Sequence, residues 1–206
     1  MTTPNLMQRW IDQFPEVSLD RSLYVFRLVE KHYNEPHRRY HTLRHITDML
    51  EKMDVYFPGS PRPVVLAVFL HDVVYRPGSP NNELNSARFA KRHLGRLGLS
   101  REEVRTIARA IIATRKHVAH NRVEAIVCDL DLLSLAYEPV RYRRNTRLLR
   151  QEFAEFTDAQ WNFGRSRFIN SYLGRKYIYA NPKLRRANEA NARRNLQAEP
   201  SHRAKA

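Results

Sequence analysis

The chain has 206 residues, 42% of them hydrophobic, and its 36 Lys and Arg outweigh 21 Asp and Glu to give a net charge of +15. That size and make-up suit one globular domain with a full core, and only 6 glycines leave little room for tight turns. A single cysteine, Cys128, excludes an internal disulfide, and the longest unbroken apolar run, residues 64–70, is far too short to cross a bilayer.

Taken in chain order, the start "MTTPNLMQRWIDQF" has neither the basic start nor the long apolar centre of a secretory signal. With one cysteine, this predicts a cytoplasmic protein with no membrane segment. Leu19, Leu23, Phe26 and Val29 recur at helical steps, and so do Leu43, Ile46, Met49, Leu50 and Met53. Pro61 or Pro63 opens a helix over the apolar run "PVVLAVFL", and "RPGSPNN" (76–82) breaks it. Helix resumes through "ELNSARFAKRHLGRLG". Ser100 and Glu103 form the S-x-x-E pattern of a capping box before "VRTIARAIIATRKH". "VEAIVCDLDLLSLAY", "PVRYRRNTRLLRQEFAEF" and "DAQWNFGRSRFINSYLG" follow, and Asn181-Pro182 starts the last helix. Residues 199–206 read as a frayed polar tail. No repeat or linker divides the chain, so the fold class is all-α, a single-domain bundle of about eight to ten helices.

The positive balance attracts anions, whether nucleotides, nucleic acid or acidic lipid headgroups, and a solvated Arg-rich surface has the same composition. No aromatic-interleaved basic motif of the RNA-binding kind occurs, nor does G-x-G-x-x-G or G-x-x-x-x-G-K-[ST].

The chemistry lies in polar residues set into apolar segments. His71 and Asp72 sit side by side in "FLHDVVY". A carboxylate in such surroundings needs a partner or a metal ion. His41 has His45 one helical turn later on the same face. Asp129 and Asp131 fall in "IVCDLDLLSL", and His117 and His120 end "IIATRKHVAH". Adjacent helical residues diverge by about 100°, so His71 and Asp72 pinch an ion beside the helix without completing its shell. His41 upstream and an Asp downstream would supply the rest, as ligands from facing helices do in bundle cores.

The order H…HD…D in a helical chain resembles the HD-domain superfamily of metal-dependent phosphohydrolases. "EPHRRYHTLRHI", "FLHDVVYRPGSPNNELNSA", "IIATRKH", "DLDLLSL" and "NFGRSRFINSYL" together are similar to a bacterial subgroup described as predicted metal-dependent HD phosphohydrolases. The resemblance runs from about residue 5 to residue 198. It is specific for fold and metal binding and says little of substrate.

The resemblance implies that His41, His71 and Asp72 are ligands of a divalent ion (Mn, Ni, Fe, Mg or Zn). It places the last ligand at Asp131, whose Leu-Asp-Leu-Leu setting fits better than that of Asp129, a supporting residue on this reading. Glu83, after the HD pair, stands where the superfamily puts an acid that orients or activates water; a first-turn acid favoured by the helix dipole is the plainer reading. Asp72 and His117 are the other catalytic candidates, and His117 is open to a second metal, substrate phosphate or proton donation. His37, Arg38, His45 and Asn82 are left as substrate or supporting residues, with Ser86 beside Asn82. Arg165 in "GRSRF" either packs or faces a phosphate.

The implied function is hydrolysis of a phosphomonoester or phosphodiester, nucleotide-like in kind, by metal-activated water. Two other classes stay open. One is a non-catalytic module of the same fold binding nucleotide or RNA, with the Arg141, Arg144 and Arg147 face as its contact. The other is a di-iron oxygenase drawing on His117 and His120.

Overall fold

The computed structural model of the chain describes residues 3–199. Among them are ten α-helices and no strand. They are α1 (Thr3–Ile11), α2 (Leu19–Tyr33), α3 (Leu43–Tyr56), α4 (Arg62–Leu70), α5 (Asn82–Leu94), α6 (Arg101–Thr114), α7 (Arg122–Leu132), α8 (Pro139–Glu152), α9 (Asp158–Leu173) and α10 (Pro182–Ala198). Short 3-10 turns follow α5 and α7. The all-α class holds. The helices form two compact units, one through Cys128 and the other from Asp129, with the boundary inside α7.

In the first unit α4 is the central rod. Every residue from Val64 to Leu70 is buried, and α3, α5 and α6 pack around it. A helix apolar on all sides has no other stable place. Pro61 caps its start and Pro63 sits in its first turn, where a missing N–H costs nothing. Trp10 plugs one side, with rings of Phe14, Phe26 and Phe69 at 5.2, 6.2 and 5.5 Å, and its indole N–H donates to Ser22 O. The Tyr33 hydroxyl donates to Phe69 O at 3.0 Å. The α2 stripe runs through Val25, Phe26, Val29 and Tyr33. Leu19 is 55% exposed, because the helix begins there, one turn short of the stripe.

The local signals work as written. Ser100 Oγ accepts the Glu103 N–H, and the Glu103 carboxylate accepts the Ser100 N–H at 3.1 Å. Arg62 donates to the same carboxylate, which holds Glu103 below its ordinary value; the Ser100 hydrogen bonds add to this. Asn181 Oδ1 accepts from Lys183 N and Leu184 N ahead of α10.

In the second unit α10 lies along the 3-10 turn Leu133–Ala136, and Asn195 Nδ2 donates to Leu135 O and Tyr137 O. Arg165 does not face outward to a phosphate. Its buried guanidinium donates to Glu199 at 3.1 and 2.6 Å and to the Tyr142 hydroxyl at 3.2 Å, and Tyr142 in turn donates to Glu199. Burial pulls Arg165 down, but the bonds and charge of Glu199 outweigh it, so its affinity for the proton ends above the ordinary value. Burial pushes the Tyr142 phenol well up. The frayed tail therefore cannot begin at 199; residues 200–206 lie outside the described residues.

Candidate metal centre

The sequence pattern puts His71 and Asp72 inside a helix, but α4 ends at Leu70. His71 is its last cap in helical conformation and Asp72 stands in the turn beyond. The reason is visible in the backbone from Asp72 to Arg76, whose polar groups are caught by side chains. Arg38 donates to Asp72 O at 2.8 Å and Val73 O at 3.0 Å. Ser86 Oγ accepts from Val74 N–H and donates to Val74 O. His37 Nε2 donates to Tyr75 O at 2.9 Å, since a carbonyl only accepts. Asn82 takes the Arg76 N–H on Oδ1 and donates Nδ2 to Arg76 O. Backbone groups so satisfied have no need of a helix.

These bonds give several residues the supporting place that was one of their two readings. Arg38 is not placed to bind substrate. Its side chain is buried, with Nε and a terminal nitrogen on Glu35 Oε2 and further N–H groups on His41 O, Asp72 O and Val73 O. That exhausts the donors of a guanidinium. Asn82, Ser86 and the His37 ring likewise support the segment that follows the HD pair.

His71 Nδ1 lies 2.9 Å from Val68 O, so Nδ1 carries the proton and donates. Nε2 then faces Asp72 Oδ2 at 3.1 Å. A lone pair on Nε2 facing a carboxylate oxygen needs a cation between them, either a metal ion or a proton carried by the ring or the carboxyl. A backbone carbonyl that fixes the tautomer of the opposite nitrogen is the usual support of a metal-bound histidine. The C-terminal end of α4 adds the negative pole of a helix dipole, which favours cations.

His45 completes the group: one ligand atom each from His45, His71 and Asp72 lies within 4.8 Å of the others, and all three residues are buried. His41 Nε2 is 3.8 Å from Asp72 Oδ2, and its ring is half-exposed against Tyr75 with centroids 4.2 Å apart. So the structure gathers His71 and Asp72 as the pattern indicates, seats His45 among them and leaves His41 at the rim. The helical phase explains the difference. α3 starts at Leu43, and His41 lies before it in a bend where Thr42 N–H reaches Tyr40 O. His45 follows the buried stripe of Ile46, Met49, Leu50 and Met53. Its place on that apolar face is the signal that could have singled it out.

Glu83 lies in the first turn of α5, one turn before Ser86, which holds the Val74 backbone. His117 does not end α6, which stops at Thr114. It stands in the turn beyond, with φ of 46°, the one non-glycine residue with positive φ among those described. His120 is exposed.

Asp129 and Asp131 part ways within the second unit. Asp129 is buried and accepts the N–H groups of Ala180 at 2.8 Å and Asn181 at 2.7 Å. That fastens α7 to the start of α10. Asp131 lies nearly opposite on the helix and is half-exposed.

Two imidazoles and a carboxylate suit a divalent transition ion better than Mg, and three protein donors leave room for water or substrate. The residues fit such an ion. No family model, curated protein or solved structure matches the chain.

Proposed function

We propose that the chain is a metal-dependent phosphohydrolase acting on a phosphomonoester or phosphodiester, nucleotide-like in kind. The observation that carries the reading is the face-to-face placement of His71 Nε2 and Asp72 Oδ2, with Nδ1 committed to Val68 O and His45 alongside. The H…HD…D order supports the same reading. His45, His71 and Asp72 would hold the ion, with His41 at the rim. A divalent ion there lowers the pKa of water and neutralises phosphate charge.

The chain's own groups then divide the work. His71 keeps its lone pair on Nε2 because Val68 O holds the other proton. Glu83, or Asp72 by its second oxygen, takes the proton of the attacking water. His41 and His117 are the groups for the leaving oxygen or the phosphate. The net charge of +15 draws anionic substrates to the surface.

The test is phosphate release by protein loaded in turn with Mn, Fe, Co, Ni, Zn and Mg, from aryl phosphate mono- and diesters and from nucleoside mono- and cyclic phosphates. Turnover lost in Asp72→Asn is the expected result. No turnover with any ion and substrate would overturn the proposal.

A further inference from the structure

Arg38 reaches everything around the HD pair without facing the pair's own side chains. One terminal nitrogen bridges His41 O at 3.0 Å and Asp72 O at 2.8 Å. The other takes Val73 O at 3.0 Å and Glu35 Oε2 at 3.1 Å, and Nε takes Glu35 Oε2 at 3.1 Å. The guanidinium lies over the rings of Tyr33 and Tyr75, at 5.0 and 5.4 Å from their centroids. A planar fork engaged at every donor and lying against two rings has one position only.

That position joins two stretches of chain with no regular structure of their own. One is the bend of residues 35–42, which delivers His41 and sets the start of α3 and so of His45. The other is the segment after α4, which delivers Asp72. We propose that Arg38 is the positioning residue of the metal centre, setting the separation of the histidines from Asp72, with Glu35 cancelling its charge so that it does not repel the bound cation. This rests on the metal-binding reading above. Lysine is no substitute, because three donors on one atom cannot span three carbonyls and a carboxylate.

The probe is Co2+, titrated into the full chain and followed by its visible d–d absorption and by competition with a chromophoric chelator. The expected result for Arg38→Lys is a Co2+ affinity about 10–100-fold weaker, the range typical for residues that support ligands, with altered bands. Thermal unfolding of the metal-free variant shows whether it is folded. If wild-type chain takes up no stoichiometric Co2+, the metal reading itself fails. If wild type binds and folded Arg38→Lys matches it in affinity and spectrum, the role of Arg38 is overturned while the metal reading stands. Should Arg38→Lys not fold, Glu35→Gln decides. It leaves the guanidinium on its carbonyls with an uncompensated charge, and a Co2+ affinity at least about threefold weaker is expected; unchanged affinity overturns the proposal.

Discussion

His71 Nε2 stands 3.1 Å from Asp72 Oδ2, and the other nitrogen of the same ring is held by Val68 O at 2.9 Å. The two contacts make the ring directional: one nitrogen is committed to a backbone acceptor and the other is aimed at an anion. Asp72→Asn keeps the shape and removes the anion. It is expected to weaken Mn2+ or Co2+ binding by more than about 100-fold, beyond the effect of a merely supporting residue, as read by calorimetry. Equal affinity in the variant would leave the pair as a buried ion pair with no metal.

His45 and His41 compete for the place of second imidazole ligand. His45 lies within the buried group and His41 borders it. His45→Gln should therefore cost more metal affinity than His41→Gln, by about tenfold or more. The reverse ranking in parallel titrations would return His41 to the first position.

Asp129 is predicted to matter for stability. It is buried and accepts two backbone N–H groups ahead of α10. Bonds to a charged acceptor contribute about 1.5–3 kcal/mol each, so Asp129→Ala should lose about 3–6 kcal/mol in urea unfolding. A loss below about 0.5 kcal/mol, the range of an ordinary surface change, would contradict this assignment.

The buried Arg165 and Glu199 pair should show strong coupling. Arg165→Met leaves Glu199 buried without its cation and is expected to cost about 3–5 kcal/mol. Adding Glu199→Leu should restore most of that. Additive losses in the double variant, measured by denaturant unfolding, would show that the two groups do not act as a pair.

Glu103 gives a pH dependence of known sign. Arg62, first, and the Ser100 bonds hold its folded value below 4.5, so folding favours the ionised carboxylate. Its contribution is present above 4.5 and is lost as pH falls through the lower, folded value. The stability gap between wild type and Glu103→Gln should shrink as pH drops below 4.5; a gap that widens there would reverse the assignment. Ser100→Ala should cost about 1 kcal/mol at neutral pH through the lost cap.

These cases also show what a reader of the chain can and cannot see. The Ser100 and Glu103 box and the Asn181-Pro182 start depend on neighbours in sequence, and both stand in the structure; the helix placed before 76–82 ends sooner, at Leu70. Periodicity marked α4 as buried and His71 with Asp72 as anomalous within it. It could not mark where α4 stops, because the stop is made by Arg38 and Ser86, 34 and 12 residues away from the carbonyls they bind. For the same reason the pattern leaves Arg38 open between a substrate contact and a supporting role. The stripe of α3 is where the spacing puts it, but His41 lies outside the helix because Thr42 takes the cap position. The resemblance separates Asp129 from Asp131 only by their immediate neighbours; what fixes Asp129 is a pair of amides some fifty positions on.

The saturation of Arg38 has a chemical consequence. A buried guanidinium with every N–H engaged offers nothing to a dicarbonyl reagent. Phenylglyoxal should modify the many exposed arginines and leave this one intact until the chain unfolds. A labelling survey of the native protein would then miss the one arginine through which the bend before α3 and the turn after α4 are joined, while marking its exposed neighbour Arg39.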